Sequence, residues 1–145
     1  MSRDKIAAGG DAMWLLKTEP TAYAYDDLDR DGRTTWDGVK NPVALRNLRE
    51  MKPGDRVFVY HTGDQKAVVG TARVTRAAYP DPKAKQAGLW VIDIEAAGKL
   101  ASPVPLKELK ALAAFADSPL VRQGRLSVVP LTAAQASAIE QRGRR

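Results

Sequence analysis

The chain has 145 residues, 44% of them hydrophobic and 28% charged, with a formal net charge of +6, which is the size and composition of one globular domain. It has no cysteine, which excludes thiolate catalysis, disulfides and cysteine-based zinc sites and fits a cytoplasmic protein. No apolar run approaches the ~20 residues of a membrane span, and Met1–Ala12 lacks the apolar core of a signal peptide and reads as a flexible leader.

Met13–Lys17 reads as a short apolar strand that Pro20 ends. Asp26–Asp31 reads as one helical turn, its acids suited to the positive end of the helix dipole and its end marked by Gly32. The polar stretch Arg33-Thr34-Thr35 leads to Trp36 and a loop. Asn41-Pro42 is a helix start, because asparagine caps and a first-turn proline needs no N–H; Ala44, Leu45, Leu48 and Met51 then form a helical stripe.

After the turn Lys52–Asp55, three strands are expected: Arg56–His61, Ala67–Arg76 broken by Gly70, and Leu89–Glu95. The first has apolar groups on both faces and should be covered on both sides; in the third, Trp90, Ile92 and Ile94 point inward while Asp93 and Glu95 face solvent. Tyr79–Pro82 reads as a rigid loop, Leu106–Ala114 as a short helix entered through Pro105, and Leu126–Pro130 as a closing strand. Thr132 and Gln135 form a capping box for a last helix running to about Gln141, so that residues 13–141 make one domain and Arg142–Arg145 a basic tail. Short strands with helices inserted between them predict an α+β fold built on a small mixed β-barrel, not a doubly wound sheet.

The inventory of reactive groups is thin. His61 is the single histidine, and the chain has no P-loop, no dinucleotide fingerprint, no EF-hand and no nucleophile elbow. No metal or cofactor is therefore expected, and any catalysis would rest on Lys17, Glu19 or His61. The basic balance favours a polyanionic partner. Its distribution adds to this: from Ser118 to Arg145 five arginines (122, 125, 142, 144, 145) stand against one acid, Glu140, while Asp26, Asp27, Asp29 and Asp31 cluster elsewhere. Trp14, Trp36, Tyr60 and Trp90 lie in or beside strands, where an aromatic face can stack a base; Trp90 reads as core and Trp36 as a pocket wall.

Five segments resemble, in order, the motifs of the EVE domain family of PUA-like domains. They are Trp14–Pro20, Trp36–Asn41, Met51–Asp55 through Tyr60-His61, Val69-Gly70 with Tyr79–Pro82, and Arg122–Val128. The chain departs from the family pattern at Thr18 and Ala24, each where a serine is usual, and at Pro42-Val43, where an aromatic–glutamine pair is common. The resemblance implies a PUA-like barrel and a module that binds nucleic acid without catalysis. The expected ligand is a flipped, modified base, with modified cytosine in DNA placed ahead of RNA.

On that basis a base-sized cleft is expected at the strand ends, bounded by Trp14, Trp36 and Tyr60. Lys17, Asn41, His61, Arg122, Gln123 and Ser127 would supply polar contacts, and Lys40, Arg46 and Arg125 would meet the phosphate backbone. Each has a plainer role beside this one: Asn41 as a helix cap, Glu19 as the ion-pair partner of Lys17, His61 as a satisfied strand-end residue, Ser127 as the partner of a buried backbone group, and Arg122 and Gln123 as braces of the C-terminal loop. The segment Leu106–Ala116 is a further candidate, as a protein-docking surface. Burying one methyl is worth about 0.8 kcal/mol, so a methyl-shaped hollow alone makes a poor reader of methylcytosine.

Overall fold

The structure, a computed structural model, describes residues 12–145. The leader expected at Met1–Ala12 lies outside the described residues except for Ala12, whose carbonyl accepts the Arg56 N–H at 3.0 Å. The elements in chain order are β1 (Met13–Thr18), α1 (Tyr25–Asp31), β2 (Arg33–Trp36), α2 (Pro42–Glu50), β3 (Arg56–His61), β4 (Ala67–Pro80), β5 (Trp90–Pro105), α3 (Leu106–Lys110), a 3-10 turn (Ala113–Phe115), α4 (Pro119–Arg122), β6 (Val128–Leu131) and α5 (Ala133–Gly143). Among the described residues no helix is long and apolar enough to cross a membrane.

The six strands form one sheet in the order β2-β5-β4-β3-β1-β6. Only β1 and β3 run parallel, with Lys17 beside Tyr60 and Thr18 beside His61; the other neighbours are antiparallel. β4 and β5 are long, and their pairing shifts register four times, between Val68 and Gly70 and onward to Tyr79. Bulges of this kind bend and twist a ladder, so the sheet curls.

Curling stops short of closure, and the expectation of a barrel is corrected to an open sheet: β2 and β6 remain its two edges. Helix α2 packs against the edge strand β6 and against β4 and β5. Ala44 and Leu48 are fully buried there, and Asn47 donates from Nδ2 to the Val128 carbonyl at 2.9 Å, so a polar group of the β6 edge is satisfied by the helix instead of by a strand. Both edge strands have four residues, and β6 carries Pro130, features that blunt an edge against foreign pairing.

Several local expectations hold. Asn41 caps α2 through its side-chain oxygen, which accepts from the Val43 and Ala44 N–H groups, and Thr132 and Gln135 make the reciprocal capping box of α5. Gly32 ends α1 at a φ of 77°. At Ala24, half a capping box remains: the Asp27 carboxylate accepts the Ala24 N–H at 2.8 Å, and alanine returns nothing. Other expectations needed extension. β4 runs on through Tyr79-Pro80, which reads as loop from its prolines, and β5 reaches Pro105. In the Leu106–Ala116 segment Leu109 and Phe115 are fully buried and Leu106 and Leu112 half-buried, so the exposed apolar groups are the small Ala111, Ala113, Ala114 and Ala116, and no large hydrophobic side chain is exposed there.

One contact sets the seat of α1. A Cβ built on Gly70 would lie 2.4 Å from the ring of Tyr25, which is itself 1% exposed. Gly70 in β4 is therefore the hollow that admits the ring. A Gly70→Ala variant should lose about 1–3 kcal/mol by overpacking, measured as a lower denaturant midpoint at unchanged slope.

Candidate functional site

At the C-terminal end of β1, beside β2, lies a cleft of about 540 Å³. Lys17, Thr18 and Glu19 form one wall, Ala22 and Tyr23 a second, and Thr34 through Val39 a third, with Ser127 at the rim. The walls follow from the strand register. β1 lies between β3 and β6, so its last residues emerge where the β6 end and the loop before it (Gly124–Ser127) approach; the Lys17 N–H binds the Ser127 carbonyl at 2.9 Å. β2 sits at the far edge, hydrogen-bonded to β5, and carries Trp36 to the cleft.

Trp36 is 7% exposed, and the Tyr23 ring meets it edge-on at 6.2 Å between centroids and 85° between planes. Tyr23 is itself held, its hydroxyl donating to Asp31 at 3.0 Å. The orientation of Trp36 is thus set from the side, a preferred geometry for two π-systems. Burial pushes the Tyr23 hydroxyl above the usual tyrosine range, with the Asp31 and Asp27 carboxylates adding to it.

Lys17 reaches across the cleft and donates from Nζ to the Gly124 carbonyl at 2.8 Å, and its Nζ lies 5.5 Å from the centroid of the Tyr60 ring. The expected ion pair between Lys17 and Glu19 does not form. Glu19 instead accepts from Thr62 at 3.1 Å and Thr21 at 3.4 Å. Burial holds the Lys17 ammonium below the usual lysine range, which follows from a cation half removed from water with only a carbonyl and a ring to replace it.

The other expected residues scatter. Trp14 is core, 6% exposed, and its indole N–H donates to Asp55 at 2.9 Å, fastening β1 to the turn before β3. Tyr60 is buried behind Lys17 and is not part of the cleft lining. His61 accepts the Tyr25 N–H at Nε2 (2.9 Å), so its proton sits on Nδ1, 2.8 Å from Gln65; both nitrogens serve the fold, away from the cleft. Arg122 pairs with Asp117 at 3.0 Å and donates to the Ala116 carbonyl, the bracing role. Asn41, Gln123 and Arg125 line a separate shallow hollow of about 310 Å³ with Val43 and Leu126. Of the base-contact set, then, Lys17, Trp36 and Ser127 come together in the cleft.

Charge is distributed differently from the sequence count. Arg142 and Arg145 reach Glu108, Arg56 pairs with Glu140 at 2.6 Å, Lys99 with Asp26 and Arg30 with Asp27 and Asp31. Lys40, Arg46 and Arg49 are exposed on α2 and the loop before it and make no ion pair among the described residues; Arg49 lies over the Trp90 ring at 4.3 Å. Lys40, Arg46 and Arg49 thus form one group of unpaired cations around α2, and Arg125 is another, on the second hollow.

Sequence reasoning missed Thr18, Tyr23, Thr34, Asp37, Gly38 and Val39 as cleft walls. A signal was present for part of this: two threonines and a tryptophan after a helix-ending glycine have the composition of a strand, although they read as polar coil.

One expectation concerns pH. Between the lowered value of Lys17 and the ordinary 10.5, the folded chain has released a proton that the unfolded chain still holds, so stability rises with pH across that window. Wild type should accordingly gain stability relative to Lys17→Met as pH climbs toward the ordinary lysine value. Denaturant unfolding of both proteins over that range reads the difference; parallel curves would mean that the ammonium is not desolvated.

A family model described as EVE domain matches residues 12–142. Thymocyte nuclear protein 1 of Mus musculus is 30% identical over 153 residues, covering 82% of this chain and 68% of the relative. Among solved structures, a protein from Agrobacterium tumefaciens is 34% identical with a TM-score of 0.86, covering 91% of this chain and 92% of the other. The human THYN1 protein, solved in complex with 5-methylcytosine-containing DNA, is 25% identical with a TM-score of 0.85, covering 93% of this chain and 99% of the other. The matched span takes in the whole described sheet and every wall of the cleft, and the chain belongs to the EVE domain family.

Proposed function

We propose that this EVE domain is a DNA-binding module that takes one extruded, modified base, a modified cytosine, into the cleft walled by β1, β2 and the loop after Trp36, without catalysing a reaction. The observation that carries this reading is a nearly buried tryptophan, fixed edge-on by Tyr23, in a cleft whose volume falls in the range of small-ligand sites. Trp36 stacks or edges the base, Lys17 and Ser127 contact it, and Lys40, Arg46, Arg49 and Arg125 follow the phosphates past α2. The human relative bound to 5-methylcytosine DNA supports the choice of DNA and of cytosine. A helix N-terminus is a common phosphate site, but Asn41 already occupies the free N–H groups of α2, so the phosphate contacts fall to side chains. Catalysis has little to work with: His61 is committed at both nitrogens, and Glu19 is held by two threonines.

The test is a titration with matched oligonucleotides, DNA and RNA, carrying cytosine, methylcytosine or hydroxymethylcytosine. Trp36→Ala should weaken the preferred modified strand by about 5- to 150-fold, the worth of one stacked base. Four phosphate contacts should give a log–log salt slope near −3.6, and Arg46→Gln or Arg49→Gln should each make it shallower by about one. A preference for the RNA strands would move the module to PUA-type RNA binding. Binding indifferent to both the base and Trp36→Ala would reduce the function to charge attraction.

A further inference from the structure

The cleft wall after Trp36 is left unpaired in a way that specifies one edge of a base. From Asp37 to Lys40 the backbone makes no hydrogen bond among the described residues, although Val39 is only 6% exposed. The Trp36 indole N–H, in a residue 7% exposed, likewise has no partner there. Asp37, Gly38 and Lys40 are exposed, which leaves Trp36 and Val39: donors of buried residues are almost always satisfied, and these two lack a complement that a ligand can supply.

Next to them, Asp37 lines the cleft with neither an ion pair nor a hydrogen bond among the described residues. The cleft's other carboxylate, Glu19, already accepts two threonine hydroxyls. Gly38, at a φ of +81° with nothing within 4 Å of a Cβ position, turns the chain so that the carboxylate and the following N–H groups belong to one loop.

An ionised carboxylate offers acceptors only, and main-chain and indole N–H groups offer donors. The Asp37 carboxylate followed by the Gly38 and Val39 N–H groups gives an acceptor and then donors, which complements the pairing edge of cytosine, with its exocyclic amine as donor and N3 and O2 as acceptors. Thymine presents O4 and N3–H in the reverse order at the first two positions. This distinction matters because 5-methylcytosine and thymine carry the same C5 methyl. A hollow that feels only that methyl admits both, and the methyl is worth about fourfold against unmethylated cytosine and nothing against thymine.

We infer that Asp37 is the specificity-determining residue of the cleft, accepting the exocyclic amine of the bound base and rejecting bases with a carbonyl at that position. The inference rests on the base-reading function proposed above. A thymine in the site would bring its O4 against the carboxylate and leave two acceptors facing each other without a proton, the type of mismatch that hydrogen-bonding sites reject most strongly.

The experiment uses the full chain and single-stranded DNA differing at one position, 5-methylcytosine against thymine, so that no unpairing cost enters. Wild type, Asp37→Asn, Glu19→Gln and Trp36→Ala are compared, with melting curves to show that each is folded. Wild type should prefer methylcytosine by at least about tenfold, and Asp37→Asn, whose amide can also donate to O4, should bring the two within about threefold by gaining thymine affinity as well as losing methylcytosine affinity. Glu19→Gln should keep the wild-type ratio.

An unchanged ratio in Asp37→Asn, or a ratio that collapses in Glu19→Gln, would overturn the assignment while leaving the cleft as the binding site. Equal binding of both strands by wild type would do the same, provided Trp36→Ala still weakens both. Binding that Trp36→Ala leaves untouched would remove the cleft reading and this inference with it.

Discussion

Tyr25 is the point through which the sheet positions the site. Its ring fills the space left by Gly70, its hydroxyl donates to the Thr71 carbonyl at 2.8 Å and accepts the Gly98 N–H at 3.0 Å, and its backbone N–H is bound by His61. One residue at the start of α1 therefore ties that helix to β3, β4 and β5 at once. Tyr23, two residues earlier, and β2, immediately after the helix, inherit their positions from this anchor. The edge-on contact between Tyr23 and Trp36, which shapes the cleft, depends on both. A buried tyrosine held by two main-chain groups is expensive to move, because displacing it leaves polar groups without water or partner. Burial also pushes its hydroxyl above the usual tyrosine range, which keeps it neutral and able to donate.

The second organising feature is the open sheet. A closed barrel would have hidden the edge of β2 and sealed the space beside Trp36. Here α2 covers the β6 edge, burying Ala44 and Leu48 while leaving Arg46 and Arg49 outside. The same helix thus buries its apolar face and presents Arg46 and Arg49 to solvent, with its first turn lining the second hollow. Fixed positive charge beside a base-sized hollow gives both affinity for a polyanion and a place where one nucleotide can be held apart from the rest.

In the proposed function, recognition and attraction are divided between different groups. The cations around α2 carry no information about sequence, and the C5 methyl of a modified cytosine carries little free energy. In the proposed reading, what remains to distinguish bases is the pattern of donors and acceptors along the Asp37–Val39 wall. Such patterns discriminate through the penalty of unpaired polar groups and not through gains in contact area.

Much of the fold was legible in the residues. The two-faced apolar run of β3, the cap at Asn41, the box at Thr132 and Gln135 and the stop at Gly32 are all local, set by backbone geometry and side chains a few positions apart, and they stand where the sequence put them. The family, too, was readable from five ordered motifs. The composition of the cleft was not. Motif residues such as Trp14, His61 and Arg122 turned out to serve the fold, because a motif records which residues matter together and is silent on whether they touch a ligand or one another. Arginine count misled for the same reason: Arg142 and Arg145 share one carboxylate, Glu108, more than thirty positions away in the chain, while Arg46 and Arg49 make no ion pair among the described residues. Sheet order, the opening of the barrel, and which polar groups end without partners are decided by contacts between distant segments, and only the tertiary structure brings those segments together.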